Sequence, residues 1–255
     1  MSWPLRIATL AKGGGGLLSL WAQGGGGFLY YPFTKLSNFF TTSGGSTNVA
    51  ADGDPIGRIV DFSPSGNNAI QATTTRRPLY KTNSAKPYAL FDGSDDCLPS
   101  NYIPNATSGL TMAVAFNNTS GAVQSSMLGG GAVTGSKRAF IALTPTGSAT
   151  IGWGSQDTSL VAGDLRNANH VLLVQGTGAT RTIWLDGVDI TANFAAASSF
   201  PDGSGGSLTL AGRQNTVGGS PDNPMAGRIS AALAIGREVT AAERNKIFKL
   251  FQETF

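Results

Sequence analysis

The amino-acid sequence predicts an all-β sandwich that ends in one short helix. Short strand-like runs recur along most of the chain, and Gly, Asn, Ser and Pro separate them. Glycine supplies 35 of the 255 residues, a composition that favours turns over long helices. A helical pattern occurs only near the C-terminus. Many strands with a single helix are typical of a sandwich or barrel, and not of alternating β and α units.

The strand-like runs begin in the first quarter of the chain. The segment Asp52–Asp61 predicts a turn followed by a short strand, and Ala69–Ala72 a second short strand after the turn Ser63–Asn68. Longer runs of mostly apolar residues then follow. We predict strands at 88–91, 110–116, 123–128, 138–143, 148–153, 170–175, 181–185, 207–211 and 226–235.

The last predicted element is a helix from about Ala241 to Gln252. Thr240 precedes it as a residue type that caps helix N-termini, and Glu243 stands where it completes a capping box. The apolar stripe of this helix consists of Ile247, Leu250 and Phe251. The pattern therefore predicts a capped helix with one apolar side.

The first 27 residues differ from the rest of the chain. Two blocks of four glycines, Gly13–Gly16 and Gly24–Gly27, bracket a short apolar stretch, and ordering them costs much entropy. We predict that residues 1–27 form an N-terminal Gly-rich assembly arm and that residues 28–255 form the sandwich domain. The apolar anchors of this arm, which would contact partner subunits, are Trp3, Leu17, Leu18, Leu20 and Trp21. The alternative is a flexible tail.

Charge and cysteine content argue against several classes of function. Charged residues make up 13% of the chain, the net charge is +3, and the basic residues are scattered apart from a small cluster at 76–86. A nucleic-acid groove is therefore not expected. The single cysteine, Cys97, excludes an intrachain disulfide. No apolar run approaches the ~20 residues of a membrane span, and glycines interrupt the apolar stretch that a signal peptide needs.

Catalytic chemistry has few candidates in this sequence. The one histidine, His170, opens a predicted strand, so neither a Ser-His-Asp arrangement nor a multi-histidine metal site is expected. Glycosidases face two carboxylates across a cleft, whereas all three glutamates lie in the last eighteen residues, outside the predicted strands. An aspartate pair such as Asp92 with Asp186 is the alternative for sugar cleavage. We therefore expect a protein that is not an enzyme.

The acidic loop Asp92–Asp96 and the dipeptide Asp186-Gly187 each follow a predicted strand. Oxygen-rich loops of the first kind can ligate calcium, but the spacing and the bidentate glutamate of an EF-hand loop are missing. Asp-Gly is a frequent pair in tight hairpin turns. We interpret both segments as hairpin turns, the first between the strand at 88–91 and the region of Leu98.

Two tryptophans leave a further alternative open. Trp153 and Trp184 lie in predicted strands. An exposed tryptophan can stack on the apolar face of a sugar ring, whereas a buried one fills the core. The sequence does not separate these alternatives, and Trp153 is the candidate glycan contact.

Several segments, taken in order, resemble the concanavalin A-like jelly roll, and within it the laminin-G and pentraxin-like modules. They are Phe91–Leu98, Leu110–Phe116, Trp184–Gly187 and Gly227–Ile235 with Glu243. The segment Asp52–Leu98, which contains Asp-Gly-Asp-Pro-Ile-Gly, resembles the lead-in of tailed-bacteriophage virion proteins that carry this module. The resemblance covers about residues 50–255 and does not extend to the arm.

The resemblance implies two antiparallel sheets stacked face to face, with the terminal helix beside them. Members of this group are mostly non-catalytic, and they bind glycans, bind proteins or decorate particles. Calcium ligands of some relatives have no matching motif here, so no cofactor is expected, and a calcium site is left open as the alternative.

From this resemblance we expect a structural or accessory protein of a phage virion, in the capsid, fibre or tail. Its arm would bind other virion proteins, and the chain would form a homo-oligomer that is assembled in the host cytoplasm and released by lysis. The alternative is a carbohydrate-binding module that recognises a cell-surface glycan. Neither nucleic acid nor a membrane is an expected partner.

Overall fold

Strands dominate the part of the chain that the computed structural model describes. This part comprises residues 17–30, 36–82, 86–104, 109–120, 123–130, 138–154, 156–159, 163–196, 206–214 and 222–255. The strands in it are β1 (Gly27–Tyr30), β2 (Phe39–Phe40), β3 (Arg58–Ile59), β4 (Ala69–Ile70), β5 (Leu79–Lys81), β6 (Tyr88–Asp92), β7 (Leu98–Pro99), β8 (Leu110–Asn118), β9 (Ser125–Gly130), β10 (Arg138–Leu143), β11 (Ala149–Gly154), β12 (Gln156–Ser159), β13 (His170–Gly176), β14 (Thr182–Leu185), β15 (Val188–Asp189), β16 (Thr209–Leu210), β17 (Arg213–Gln214) and β18 (Ala226–Ile235). The helices in it are the α-helix α1 (Ala241–Gln252) and the 3-10 helices Leu18–Gln23, Leu36–Asn38, Thr74–Arg76 and Thr191–Asn193.

Two large sheets form the sandwich. The first has the strand order β15-β14-β13-β8-β18-β6-β5, and β1 pairs with the second half of β18. The second has the order β12-β11-β10-β9-β16-β7, with β17 beside β9. Paired strands run antiparallel except β17 on β9. The short strands β2, β3 and β4 make a third, small sheet.

The main core lies between the two large sheets because apolar side chains alternate along their strands. In β8 of the first sheet, Val114 and Phe116 point into the sandwich, whereas Ala113 faces the opposite side. Ile141 and Ile151 of the second sheet join the same core. The predicted fold class, an all-β sandwich with a short C-terminal helix, is confirmed.

A second apolar layer covers the outer face of the first sheet. Ile247 and Phe251 of α1 pack there with Leu20 of the N-terminal 3-10 helix and Leu233 of β18. This packing explains why the first sheet carries apolar residues on both faces, one toward the main core and one toward α1. None of the helices in the described segments is long and apolar enough to span a membrane.

The predicted helix is confirmed, together with its cap. The Thr240 hydroxyl accepts a hydrogen bond from the Glu243 N–H at 3.3 Å, and the Glu243 carboxylate accepts one from the Thr240 N–H at 2.8 Å. Both bonds satisfy N–H groups that a helix N-terminus leaves without partners.

Strand β1 was not predicted, because glycine usually weakens a strand. Gly27 begins it and pairs with Ile235 of β18. Its φ is +158°, and a Cβ at this position would lie 2.0 Å from the Ala234 carbonyl oxygen. The last glycine of the second block therefore lets the chain approach β18 closely.

Candidate functional site

Trp153, the predicted glycan contact, lies in the core. Its exposed fraction is 0%, and its Nε1 donates to the Gly178 carbonyl at 3.2 Å. A buried indole offers no face to a sugar ring. The prediction of a glycan contact at Trp153 is therefore wrong, and the alternative of a core side chain is correct.

The predicted arm anchors that the structure describes lie against the chain's own first sheet. Leu18 is half-buried. Leu17 and Leu20 are fully buried and Trp21 is buried, all three in the layer on the first sheet. Apolar surface that is already covered within the chain is not available to a partner subunit. The prediction that these three side chains anchor a partner is therefore wrong, and they are core residues. Trp3, with everything before Leu17, lies outside the described residues, and the proposed arm stays a prediction there.

Arg237 ties this N-terminal segment to α1. Its guanidinium donates to the Leu20 carbonyl and, through two nitrogens, to the Glu243 carboxylate at 2.7 and 3.0 Å. These hydrogen bonds from Arg237 hold the pKa of the Glu243 carboxyl below its ordinary value. Because Glu243 also belongs to the capping box, one ion pair connects the 3-10 helix, the end of β18 and the start of α1.

A shallow groove of about 620 Å³ opens beside the C-terminal half of α1. Six of its eight lining residues are polar or charged. The residues that line it are Lys86, Asp186, Gly187, Asn245, Phe248, Lys249, Gln252 and Glu253. They come from α1, from the β14–β15 turn and from the residues just before β6. We take this groove as the candidate site.

The turn that forms one wall of the groove is the predicted hairpin at Asp186-Gly187. Leu185 and Val188 pair across it, and the two turn residues have φ of +52° and +91°. Positive φ at both positions is the geometry that Asp-Gly adopts in a two-residue hairpin turn. The prediction of a tight hairpin at this dipeptide is confirmed.

His170 is held by this turn. Its Nδ1 lies 2.7 Å from Asp186 Oδ2, and the other oxygen of Asp186 accepts the Val171 N–H at 2.7 Å. Among the described polar groups no hydroxyl contacts the imidazole. The only histidine of the chain therefore fixes a turn, and the described residues contain no Ser-His-Asp arrangement.

The second wall is one face of α1. Asn245, Lys249 and Gln252 lie on it together because they are four and seven residues apart. Phe248 lies beneath this face and packs into the apolar layer on the first sheet, so only the edge of its side chain borders the groove. This face of α1 was not predicted as a site from the sequence. Its signal was the polar series at helical spacing beside the apolar stripe.

The charges that line the groove have both signs. Lys86 and Lys249 are cationic, and Asp186 and Glu253 are anionic. Two side-chain amides complete the polar set. Amides both donate and accept hydrogen bonds, ammonium groups donate and carboxylates accept. The lining can therefore satisfy a neutral ligand that carries several donors and acceptors.

The acidic loop Asp92–Asp96 connects the two large sheets. Strand β6 before it pairs with β18 in the first sheet, and β7 after it pairs with β16 in the second. The predicted hairpin between these strands is therefore wrong. An Asp-Gly pair signals a tight turn, but it carries no information on which sheet the next strand joins.

The carboxylates of this loop lie close together. One oxygen from each of Asp92, Asp95 and Asp96 lies within 4.8 Å of the others. Oxygen ligands of this kind suit calcium, yet Asp92 Oδ1 accepts the Ser94 N–H at 2.8 Å and Asp96 Oδ2 accepts the Asp92 N–H at 3.1 Å. These bonds give the aspartates a structural role, and the expectation of no cofactor stays a prediction.

Comparison with known proteins identifies the fold. No protein-family model and no curated protein matches the sequence. A Trypanosoma rangeli sialidase in complex with 2-keto-3-deoxy-D-glycero-D-galacto-2,3-difluoro-nononic acid matches 97% of this chain and 39% of its own, with a TM-score of 0.55 and 12% identity. The same organism's sialidase in complex with sialic acid matches 80% of this chain and 32% of its own, with a TM-score of 0.53 and 13% identity.

A smaller protein also matches. The CBM40 of Ruminococcus gnavus IT-sialidase, bound to α2,3 sialyllactose, matches 58% of this chain and 83% of its own, with a TM-score of 0.43 and 15% identity. That TM-score is too low to carry an argument about this chain. At 12% identity, the likeness to the sialidases concerns the β-sandwich fold alone.

Several functional predictions are not tested by the fold or by these neighbours. The place in a phage virion, the virion partners, the homo-oligomer and the non-enzymatic character all stay predictions.

Proposed function

We propose that this chain is a non-catalytic module that binds a carbohydrate in the groove beside α1. The groove lining supports this proposal, because amide, ammonium and carboxylate side chains surround one largely buried aromatic ring. Sugars present many hydroxyl groups that donate and accept, together with apolar C–H faces. The groove volume of about 620 Å³ lies within the range of about 300–1,000 Å³ that is usual for small-molecule sites.

Rigid elements hold both walls of the groove, which favours binding. Helix α1 begins in a capping box, and its apolar side is buried on the first sheet. The opposite wall is the Asp186-Gly187 turn, fixed by the Val171 N–H and by His170. Rigid walls lose little conformational entropy when a ligand binds, so a shallow site can still hold a sugar.

The chemistry of the described carboxylates favours binding over cleavage. Glycosidic hydrolysis uses two carboxyl groups that face each other across the bound sugar. Of the aspartate pair that the sequence suggested, Asp186 lines the groove and Asp92 does not, and the other carboxylate of the lining is Glu253. Asp186 is in addition held by His170 and Val171. A carboxylate fixed in a turn in this way is poorly placed to attack a sugar or transfer a proton.

A glycan array tests the proposal. The probe proteins are the wild type, the double variant Asn245→Ala/Gln252→Ala, and the control Gln23→Ala, which removes an exposed amide outside the groove lining. The wild type should bind at least one glycan. The double variant should bind it at least tenfold more weakly, and the control should stay within twofold of the wild type.

Two results would contradict the proposal of binding in this groove. One is an array on which the wild type binds nothing, and the other is an equal loss of affinity in the control variant. Incubating the protein with the bound glycan and separating the products by chromatography tests the non-catalytic part. Release of a shorter sugar by the wild type would refute it.

A further inference from the structure

We infer that the groove selects neutral sugars and discriminates against acidic ones, an inference that rests on the proposed function. Three features of the described residues support it. The charges in the lining balance, the groove lies at the C-terminal end of a helix, and no arginine lines it.

Opposite charges balance in the groove lining. Lys86 and Lys249 contribute two positive charges, and Asp186 and Glu253 contribute two negative ones. A balanced lining creates no net field to attract a sugar carboxylate from solution.

The position of the groove on α1 also disfavours acidic sugars. Lys249, Gln252 and Glu253 belong to the last turn of the helix or follow it directly. Carbonyl groups near a helix C-terminus carry a partial negative charge, which favours cations and disfavours anions. A neutral hydroxyl group is not repelled by this partial negative charge.

Arginines near α1 already have other partners. Planar guanidinium groups are the side chains that recognise a carboxylate through two parallel hydrogen bonds. Arg237 is paired with Glu243 at 2.7 Å. The guanidinium of Arg244 lies 4.1 Å from the Trp184 ring centroid, and that of Arg228 lies over neighbouring aromatic rings. None of the three lines the groove, so a bidentate carboxylate clamp is missing from its lining.

The amides of Asn245 and Gln252 are suited to a neutral ligand. Each amide presents a carbonyl acceptor and an NH₂ donor side by side. Of two adjacent sugar hydroxyls, one can accept a hydrogen bond from the NH₂ group, and the other can donate one to the carbonyl oxygen of the same amide. Phe248 beneath them is buried, with an exposed fraction of 5%, so the polar side chains, and not an aromatic face, would carry the recognition.

Matched neutral and acidic glycans test the inference. The probes are lactose with 3′-sialyllactose, methyl-esterified oligogalacturonate with its free acid, and the neutral tetrasaccharides of cellulose, mannan, xylan and chitin. A neutral probe should bind the wild type at least tenfold more tightly than any acidic probe does. The double variant Asn245→Ala/Gln252→Ala should lose that binding.

The outcomes separate this inference from the proposed function. Tighter binding of an acidic probe, lost in the double variant, would overturn the inference and leave the proposed function standing. Binding of no glycan at all would overturn the proposed function, and the inference with it.

A charge swap sharpens the test. Glu253→Lys changes the formal charge of the lining from zero to +2, so the affinity for the acidic probes should rise at least threefold while that for neutral ones changes less than twofold. Glu238→Lys is the control, because it makes the same change at an exposed residue outside the lining. An equal gain in both variants would show that overall charge, and not the groove, sets the preference, and would overturn the inference.

Discussion

Asp61 and Asp96 are two buried aspartates whose surroundings differ. Their exposed fractions are 7% and 6%, and burial raises the pKa of each carboxyl to about 6. Asp61 nevertheless has four hydrogen-bond donors, which oppose the effect of burial. They are the N–H groups of Leu29, Ser63 and Asn67 and the Ser63 hydroxyl, all at 2.7–2.8 Å. Asp96 accepts one N–H, from Asp92, and the negative charges of Asp92 and Asp95 raise its pKa further.

The difference shows how a buried carboxylate can stabilise a sheet edge. Asp61 accepts the Leu29 N–H, the Phe62 N–H donates to the Leu29 carbonyl at 2.9 Å, and the Asn67 amide donates to the Gly27 carbonyl at 2.6 Å. Together these groups take the place of a further strand beside β1. An open strand edge invites pairing with another chain. Asp61 organises backbone in this way, whereas Asp96 only closes a turn among like charges.

The largest expected effect follows from removing Asp61. Asp61→Ala leaves four donors without their acceptor, and each unsatisfied buried donor costs about 1–3 kcal/mol. We expect the free energy of unfolding to fall by about 3 kcal/mol or more in urea titrations followed by circular dichroism. Asp96→Ala is the matched control and should cost far less. Equal losses in the two variants would remove the distinction between the two sites.

The pH dependence of stability should follow the two raised pKa values. Each folded-state pKa of about 6 lies above the ordinary aspartate value of 3.8, so the folded protein binds these protons more tightly. This contribution to stability is fully present below about pH 3.8 and is lost as the pH rises through about 6. Between pH 4.5 and 7.5 the free energy of unfolding should fall by on the order of 2 kcal/mol for each of the two aspartates. If urea titrations at fixed salt showed the free energy of unfolding rising over this interval, the raised pKa values of Asp61 and Asp96 would be contradicted.

A smaller effect, of opposite sign to the loss in Asp61→Ala, is expected for Asp96→Asn. The amide removes a charge that Asp92 and Asp95 repel, and its carbonyl can still accept the Asp92 N–H. At pH 7.5 the variant should be more stable than the wild type by up to about 1 kcal/mol, because solvent near the turn screens part of the repulsion. At pH 4.5, where the wild-type carboxyl is largely protonated, the gain should vanish. A destabilised variant at pH 7.5 would mean that the carboxylate holds the turn.

The smallest expected effect concerns Arg76, which lies 3.6 Å from Asp95 at the edge of the same turn. Partly exposed ion pairs of this kind contribute little to stability. Arg76→Gln should change the free energy of unfolding by about 0.5 kcal/mol or less. A loss above about 1 kcal/mol would show that this cation is needed to hold the acidic loop together.

Local signals in the sequence predicted the elements whose stability is local. The predicted bounds of β10, β18 and α1 coincide with the observed ones. The capping box at Thr240 and the hairpin turn at Asp186-Gly187 were also predicted from neighbouring residues. Each depends on alternation, capping or turn geometry over a few positions.

The failures involve partners that are distant in sequence. Trp153 and Leu20 are residue types that occur both as exposed anchors and in cores. Only the packing of the sheets shows that both are buried. Strand β1 was missed because Gly27 is unfavourable in isolation and is accommodated only beside β18. The loop Asp92–Asp96 has a hairpin signature, yet the strands on its two sides join different sheets.

The sequence by itself therefore determined the sandwich class, most strand positions and the capped helix. Tertiary structure alone decided which tryptophans are buried, how Asp61 closes the edge of β1, and that Lys86, Asp186 and Asn245 line one groove. The physical reason is the range of the interactions. Helix caps and turns are formed by residues a few positions apart, whereas a groove or a sheet edge needs backbone segments that only packing brings together.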